Sequence, residues 1–321
     1  TRQRRRGVNS GGKWPKKRPR DGETRQNRPC FVRNLPRASA IPICCVAQTG
    51  EPQFMPVTST KIPDLQGLIP EIRNVAIQAG TLILGIYRSD FEVREKSDAS
   101  PVTEADEAAE RLIIPALRAL TPNIPIIAEE AAAAGELDTI SGDYFWLVDP
   151  LDGTKEFIAR RDEFTVNIAL IERGKPVMGV VHAPALGSTY YGAGSGTAMA
   201  EIDGNAALPI NVRQIPSDGA TVVSSRSHGN EEKLNELTGA MKISGHRTAG
   251  SSLKFCLVAT GEADIYPRYG PTCEWDTAAG HAVLHAAGGS VRLLDGGDFN
   301  YGKTDVKYLN PQFIARGLDE T

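Results

Sequence analysis

The chain has 321 residues, of which 40% are hydrophobic and 23% are charged, a composition typical of a soluble globular protein with one large or two ordinary domains. No uninterrupted apolar run reaches the roughly 18 residues of a membrane span, so we predict no transmembrane helix. The net charge of -3 conceals an asymmetry, because residues 1–54 hold 13 Lys and Arg against three acidic residues, whereas residues 55–321 are acidic. An acidic body argues against a nucleic-acid polymer as its partner.

Residues 1–54 differ from the rest of the chain. They are rich in Arg, Gly and Pro and lack hydrophobic periodicity, so we predict a basic, disordered extension, and one interpretation is translation from upstream of the true start. A transit peptide and a nucleic-acid-binding tail are the alternatives. The five cysteines form no C-x-x-C pair and no secretory signal is present, which predicts reduced thiols and a cytoplasmic location.

In the first part of the acidic body, two predicted helices are followed by strands. Apolar residues at alternating spacings of three and four predict an amphipathic helix over 66–88. A second helix is predicted over 104–120, with Thr103 as its N-cap. The runs IPIIA, YFWLVD, TVNIALIE and PVMGVVHAP predict strands, and STYYGAGSGTAMAE predicts a hairpin with a Gly-rich turn.

The composition turns to Pro, Gly, Asn and Asp over 203–219, which predicts a boundary between two halves, 55–207 and 208–321. Beyond it, ATVVSS predicts a strand, and EEKLNELTGA and SSLKFCLVATG predict helices. DTAAGHAVLHAAGG predicts a helix with Asp276 at its N-cap and a Gly-Gly stop. This mixed order predicts layered α and β structure rather than a regular βαβ progression.

Acidic residues fall where the predicted elements end or begin. Glu129 and Glu130 close the strand in IPIIAEE, and Asp276 opens the last predicted helix. Asp149 and Asp152 close the strand in WLVDPLDGTKEF, although a lone D-x-x-D-G is more often a simple turn. If these carboxylates converged, two of them at about 4 Å would repel by about 4 kcal/mol at an effective dielectric constant of 20. Such a cluster would need protons or cations, and oxygen ligands favour Mg²⁺.

Three motifs together resemble one family. WLVDPLDGTKEF, the upstream AEE and the downstream EWDTAAGHAVL resemble, in order and rough spacing, the lithium-sensitive, Mg²⁺-dependent phosphomonoesterases of the inositol monophosphatase superfamily. The likeness extends over about residues 66–310. KSDASPVTEAD, SSRSH and GSSLKFCLVATGEADIYPRYGPTCEWDTAAG resemble the bacterial 3′(2′),5′-bisphosphate nucleotidases within it. The resemblance implies an αβαβα sandwich of the sugar-phosphatase type, with mixed sheets and with helices between and outside them.

The resemblance also implies an activity. It implies hydrolysis of the 3′-phosphate of adenosine 3′,5′-bisphosphate to AMP and phosphate by metal-activated water, with two or three Mg²⁺ ions, in a pathway linked to sulfate assimilation. The implied metal ligands are Glu129, Asp149, the Leu151 carbonyl, Asp152 and Asp276. Thr154 and Asp106 would orient the attacking water, and Glu129 would take part in catalysis. The first half would then bind metal, and the second would complete the substrate site.

The substrate contacts implied by the resemblance combine cations with close backbone approach. They are Gly153, Thr154, His228, Ser251, Lys254, Arg268 and Asp276. A helix starting near Ser251 would offer unpaired N–H groups to a phosphate, and Lys254 would add a point charge. Arg268 would supply a planar fork or a stacking surface for adenine. Gly153 would let the neighbouring amides approach the scissile phosphate.

Several alternatives stay open at this point. An inositol or sugar monophosphatase of the same superfamily differs in whether Lys254 and Arg268 contact a nucleotide. A non-catalytic nucleotide sensor predicts a damaged metal site, whereas every implied ligand is present. A paired-carboxylate glycosidase would work without metal. Oligomeric state is not predicted, and peripheral association with the cytoplasmic face of the inner membrane, as in some relatives, stays open.

Two further motifs are assigned to structure. His281 and His285 are four residues apart in HAVLH, which lacks the Glu of the zinc motif H-E-x-x-H, so they are predicted to share a helix face. GAGSG, residues 192–196, lacks the glycine spacing of a dinucleotide loop and is predicted to form a hairpin turn.

Overall fold

Residues 64–95, 101–226 and 241–318 are described by the computed structural model of the chain. The predicted extension over 1–54, the predicted helix in EEKLNELTGA and the predicted substrate contact His228 lie outside these ranges. The described residues belong to one compact unit. The division into halves at residue 207 stays a prediction.

Helices and strands agree closely with the predicted pattern. In the described ranges the α-helices are α1 Leu65–Tyr87, α2 Glu104–Leu120, α3 Glu129–Ala134, α4 Thr154–Ile158, α5 Leu253–Ala259 and α6 Trp275–Ala286. The strands are β1 Val93–Glu95, β2 Pro101–Thr103, β3 Ile126–Ala128, β4 Tyr144–Asp152, β5 Thr165–Glu172, β6 Lys175–Ala183, β7 Ser188–Gly192, β8 Met199–Glu201, β9 Leu208–Pro209, β10 Ala220–Ser224, β11 Ile243–Thr248, β12 Ile265–Arg268, β13 Ser290–Leu293 and β14 Phe313–Arg316. The predicted hairpin is the antiparallel pair β7–β8.

Two large mixed sheets organise the molecule. Strands β3 to β9 form a seven-stranded sheet in chain order, in which β3 and β4 are parallel and the other neighbours are antiparallel. The second sheet has the order β11-β10-β12-β14-β13, with β10 parallel to β11 and to β12, and β14 antiparallel to both of its neighbours. The short pair β1–β2 stands apart from both sheets.

Helices cover both faces of the seven-stranded sheet. Helices α1 and α2 pack together on one face, through side chains that include Ile72, Ile113 and Trp146. Helices α5 and α6 lie between the two sheets, where Phe255 and Leu284 belong to the largest core cluster. A third cluster lies on the other face of the five-stranded sheet and consists of Ala220, Val222, Ile265 and Ile314. This order of layers confirms the predicted sandwich.

Strand β4 is buried on both faces, which explains its continuous apolar sequence. Trp146 and Val148 pack towards α1 and α2, whereas Phe145 and Leu147 pack towards the core between the sheets. Full burial of one large apolar side chain contributes about 1.5–3 kcal/mol. The end of β4 is therefore a rigid support for the acidic residues that follow.

Two predicted boundaries were wrong. Glu129 and Glu130 begin α3 instead of closing the strand, because Glu110 accepts hydrogen bonds from the N–H groups of Glu130 at 2.9 Å and Ala131 at 2.8 Å and so supports a helix start. Asp276 is not the N-cap of α6.

Glu274 precedes α6, and Asp276 lies within its first turn. The Asp276 carboxylate reaches back and accepts a hydrogen bond from the N–H of Cys273 at 2.8 Å. The Glu274 carboxylate bonds instead to the N–H groups of Gly302 and Lys303. Asp276 is thus held by a residue three positions earlier in the chain, whereas Glu274 is held by residues 28 and 29 positions later. The predicted Gly-Gly stop is correct, since α6 ends just before Gly288.

Candidate active site

The end of β4 carries two of the predicted ligands. In a regular strand, residues three positions apart point to opposite faces of the sheet. Between Asp149 and Asp152 the pairing with β5 shifts register, and this irregularity bends the strand end. Asp149 is 1% exposed, and its Oδ1 accepts a hydrogen bond from the N–H of Leu151 at 3.0 Å. The carboxyl group is held in place by its own strand.

Carboxylates from three segments of the chain repel the charge of Asp149. Burial raises the pKa of Asp149 well above its ordinary value. The charges of Glu129, Asp152 and Asp276 raise the pKa of Asp149 further. Such coupling requires the start of α3, the end of β4 and the first turn of α6 to face a common space. The structure therefore brings together four carboxylates from three separate segments of the chain.

The other two aspartates of this cluster are affected in the same way. Burial raises the pKa of Asp276, and the charges of Asp152 and Glu129 add to the effect. Burial also raises the pKa of Asp152, to about 6, although the ammonium of Lys254 and a hydrogen bond from Asn167 act in the opposite direction. Removing this mutual repulsion requires either protons or a cation.

The donor atoms and the negative charge of the cluster suit a divalent cation, although the side chains are not already arranged to coordinate one. In the three ranges that the structure describes, no three Asp, Glu, His or Cys side chains are already arranged as a coordination set. One oxygen each of Asp149 and Asp276 is engaged by a backbone N–H. The donors are nevertheless all oxygen and they repel one another, with Asp149 buried and Glu129, Asp152 and Asp276 half-buried, which is an environment that suits Mg²⁺.

The predicted water-orienting pair is in direct contact. The Thr154 hydroxyl donates to Asp106 Oδ1 at 3.1 Å and lies 3.3 Å from the Leu151 carbonyl oxygen. Asp106 is fully buried in the first turn of α2, and its Oδ2 accepts from both the N–H and the hydroxyl of Thr103, at 2.8 and 2.7 Å. The capping box of α2 thus immobilises the carboxylate that contacts Thr154.

Most of the predicted substrate residues line one cavity of about 140 Å³ beside the carboxylates. Those that line it are Gly153, Ser251, Lys254, Arg268 and Asp276. Thr154 follows directly after Gly153 in the chain. His228 lies outside the described residues. The helix predicted near Ser251 begins at Leu253.

Lys254 is a buried cation at this cavity. It is 5% exposed, its Nζ donates to the carbonyl oxygens of Ser251 and Ala249, and it lies 5.3 Å from the centroid of the Tyr266 ring. Burial lowers the pKa of Lys254 to about 8, and the charge of Asp152 opposes this shift. A buried ammonium is costly without anionic partners, so the position suits a negatively charged ligand.

Arg268 has a fixed orientation at the edge of the same cavity. Its Nε donates to the carbonyl oxygen of Gly270 at 3.1 Å, and its Nη2 donates to that of Pro271 at 2.9 Å. These two bonds hold the planar guanidinium without pairing it to a carboxylate. The cavity wall therefore places Asp152 and Asp276 near the cations Lys254 and Arg268, and Lys155 and Glu156 also line it.

Comparison with known proteins decides the family. A model described as the inositol monophosphatase family matches residues 64–320. The chain belongs to the inositol monophosphatase family. The 3′(2′),5′-bisphosphate nucleotidase CysQ of Salmonella typhimurium is 47% identical over 250 residues, which cover 77% of this chain and 98% of that protein. CysQ of Escherichia coli K12 is 45% identical over 250 residues, with the same coverage of 77% and 98%.

Solved structures of the family share the fold. CysQ from Bacteroides thetaiotaomicron superposes with a TM-score of 0.67 at 36% sequence identity, covering 80% of this chain and 99% of that one. An inositol monophosphatase from Anabaena superposes with a TM-score of 0.60 at 27% identity, covering 79% and 92%. None of the helices in the described ranges has the length and apolarity needed to cross a membrane.

Sequence reasoning missed two buried polar residues of this family site. Asn167 and Thr165 lie in β5, and Asn167 donates hydrogen bonds both to Asp152 Oδ2 at 3.2 Å and to the Ser252 hydroxyl at 3.0 Å. A signal was present, since two polar residues at alternate positions interrupt the apolar face of TVNIALIE.

Gly153→Ala is expected to destabilise the protein and to lower activity. Gly153 has φ +94°, and an added Cβ would lie 3.1 Å from the Glu163 carbonyl oxygen and 3.3 Å from the Phe164 Cα. The backbone strain alone costs about 1–3 kcal/mol, and the contacts add to it. Urea denaturation and phosphate release measure the two effects.

Gly142→Ala is the matched control for this substitution. Gly142 has φ +85°, but an added Cβ would meet nothing within 4 Å. The control therefore carries only the backbone cost, and the difference between the two variants isolates the close approach at Gly153. Equal losses of stability in both variants would contradict a role for that approach.

Proposed function

We propose that the chain is a Mg²⁺-dependent 3′(2′),5′-bisphosphate nucleotidase that hydrolyses the 3′-phosphate of adenosine 3′,5′-bisphosphate to AMP and phosphate. The observation that carries the proposal is the single cavity in which Asp152 and Asp276 stand beside the buried cation Lys254. A phosphate ester with a second phosphate fits such a wall. Its hydrolysis needs carboxylates that bind metal ions, and its second phosphate needs a positive charge. Relatives at 43–47% identity that carry this activity in their names support the choice of substrate.

The proposed metal site uses oxygen donors only. Its proposed ligands are Glu129, Asp149, the Leu151 carbonyl, Asp152 and Asp276. When bound there, two or three Mg²⁺ ions would polarise the phosphoryl oxygens and acidify a water molecule. The protein contributes rigid placement, since Asp149 is held by the Leu151 N–H and Asp276 by the Cys273 N–H.

Thr154 and Asp106 act as the proposed water-orienting pair. Because the Thr154 hydroxyl gives its hydrogen to Asp106 Oδ1, its oxygen is left to accept a hydrogen bond from the attacking water. As the water attacks phosphorus, its proton can pass to Thr154 Oγ1 while the hydroxyl hydrogen passes to Asp106. The P–O3′ bond breaks, and the 3′-oxygen of AMP leaves with the bonding pair and takes a proton from solvent water. The attack is direct, because no Cys, His or Ser occupies a matched nucleophile position. Glu129 is proposed to take part in catalysis as a metal ligand next to the attacking water.

The remaining substrate contacts follow from the cavity wall. The Lys254 ammonium and the Arg268 guanidinium are proposed to bind the phosphates, and Arg268 also offers a plane for the base. Gly153 and Ser251 line the cavity, and their backbone is proposed to approach the ester closely. His228 is proposed as a further contact. The proposed role is removal of the by-product of sulfate activation and sulfotransfer, in the cytoplasm or at the cytoplasmic face of the inner membrane.

Phosphate release from adenosine 3′,5′-bisphosphate and from inositol 1-phosphate tests the proposal. With Mg²⁺ we expect kcat/KM for the nucleotide to exceed that for the inositol ester by about 100-fold, equivalent to about 2.7 kcal/mol. EDTA should abolish both activities, and lithium should inhibit. Preference for the inositol ester would replace the proposed substrate by an inositol or sugar phosphate. Absence of activity on both would contradict the proposal.

A matched pair of lysine variants tests whether Lys254 is responsible for nucleotide binding. Lys254→Met should raise KM for the nucleotide at least about tenfold, because it removes a charge-assisted contact. Lys303 is the control, since its Nζ also lies 5.3 Å from a tyrosine ring centroid, that of Tyr301, but it pairs with Glu274 and does not line the cavity. Lys303→Met should leave KM unchanged.

A further inference from the structure

A buried hydrogen-bond network joins the end of β4 to the loop before α5. Asn167 and Thr165 are 1% and 0% exposed, and both lie in β5. Asn167 Nδ2 bonds to Asp152 Oδ2 and to the Ser252 hydroxyl. The Ser252 hydroxyl in turn donates to the carbonyl oxygen of Asp276 at 2.7 Å. One amide therefore connects three segments that line the cavity.

The chemistry of the groups determines which atom donates in each bond. A carboxylate oxygen accepts, so the Asn167 amide must present its NH₂ group to Asp152 and its Oδ1 to Thr165. The Thr165 hydroxyl lies 3.0 Å from Asn167 Oδ1 and has only one hydrogen, which that oxygen accepts. The contact of 3.2 Å between the Thr165 and Ser251 hydroxyls is then made by the hydrogen of Ser251. Thr165 thereby fixes the direction in which the Asn167 amide points.

We propose that Asn167 is a positioning residue that sets the proposed metal ligand Asp152 relative to the substrate-binding segment 251–254, and that Thr165 maintains the orientation of the Asn167 amide. The proposal rests on the function proposed above for the roles of Asp152 and of this segment. Asn167 gives both hydrogens of its NH₂ group to these two partners. Without it, the Asp152 carboxylate loses a donor that holds it in place, and the Ser252 hydroxyl loses its link to β5.

Loss of this amide should affect cation binding. Residues that orient metal ligands typically change metal affinity by about 10–100-fold when they are substituted. We expect Asn167→Ala to weaken Mn²⁺ binding by about 10–100-fold and to raise KM for adenosine 3′,5′-bisphosphate. Thr165→Val leaves the amide in place but removes its orienting donor, so we expect a smaller loss of about 2–10-fold, as for one neutral hydrogen bond. Thr165→Ser keeps the hydroxyl and should restore wild-type affinity.

The experiment is a titration of the full chain with Mn²⁺, in which free Mn²⁺ is measured by electron paramagnetic resonance. Thr121→Val is the matched control, because the Thr121 hydroxyl is also buried and also makes two hydrogen bonds, to the Trp146 indole N–H and to the Leu117 carbonyl. It lies between α2 and β3, and it should lower the melting temperature without changing Mn²⁺ affinity. Circular dichroism verifies the fold of each variant.

The outcomes separate this proposal from the function. Mn²⁺ affinity within twofold of wild type in a folded Asn167→Ala variant would overturn the positioning role. If Asn167→Ala does not fold, wild-type affinity in Thr165→Val, or an equal loss in Thr121→Val, would overturn it. A wild-type protein that binds Mn²⁺ but does not hydrolyse the nucleotide would refute the function. In that case, weaker Mn²⁺ binding by Asn167→Ala would still support the positioning role.

Discussion

Asp149→Asn is expected to lower kcat by about 10³-fold while it stabilises the metal-free protein. The loss of activity follows from the proposed role of Asp149 as a metal ligand, since about 4 kcal/mol of transition-state stabilisation corresponds to about 10³-fold in rate. The gain in stability follows from its surroundings. The neutral amide removes a buried charge on which Glu129, Asp152 and Asp276 all act unfavourably.

The gain in stability should depend on pH. Because folding raises the pKa of Asp149, ionisation of this carboxyl group disfavours the folded state as pH rises above its ordinary value of about 3.9. At low pH the carboxyl group is protonated in both states, and this contribution vanishes. In EDTA, the melting temperature of Asp149→Asn should therefore exceed that of wild type by more at pH 8 than at pH 4. Each kcal/mol gained in the free energy of unfolding should raise the melting temperature by about 2–4 °C.

Asp143→Asn provides the control for Asp149→Asn. Asp143 directly precedes β4, at the opposite end of the strand, and forms an ion pair with Arg173 on the surface. This substitution should leave kcat unchanged and should not raise the melting temperature. Retained activity in Asp149→Asn would contradict the role of Asp149 as a metal ligand. An equal melting temperature of Asp149→Asn and wild type at pH 8 would contradict the assignment of Asp149 to the repelling cluster.

Thr154→Val is expected to lower kcat by about 10²–10³-fold at saturating Mg²⁺, within the range of effects seen for groups that transfer protons in the transition state. Valine matches threonine in shape but cannot pass a proton between water and Asp106 Oδ1. Thr154→Ser keeps the hydroxyl and should retain most of the activity. Steady-state kinetics at several Mg²⁺ concentrations separate this effect from a loss of metal.

A double-mutant cycle with Asp106→Asn tests whether the two residues act as a unit. If Thr154 transfers the proton to Asp106, removal of either one disables the same step, and the double variant should be about as slow as the slower single variant. Multiplicative losses in Thr154→Val and Asp106→Asn would show that the contact of 3.1 Å is structural and that the two residues act separately.

Much of this protein was determined by local sequence pattern. The alternating three- and four-residue spacing of apolar residues was sufficient for α1, and continuous apolar runs were sufficient for β4 to β6, because these patterns depend on which faces are buried. The motifs around Asp149 and Asp276 were sufficient to indicate the family. These properties are local or depend on spacing along the chain, so they can be read without knowledge of the contacts.

Other properties were decided only by the tertiary structure. The Glu274 carboxylate accepts hydrogen bonds from the N–H groups of Gly302 and Lys303, 28 and 29 residues further along the chain, and nothing in the local sequence predicts these partners. Whether Lys254 is a solvated surface charge or a buried cation depends on packing around α5.

The network around Asn167 depends on contacts across 85 residues of sequence, from β5 to Ser252. A polar residue in a strand does not reveal its partner, because hydrogen bonds are directional and act over about 3 Å, whereas the sequence specifies only order along the chain. Local pattern therefore determined the elements and the kind of chemistry. The three-dimensional fold alone determined which charges share a space and which side chains hold them there.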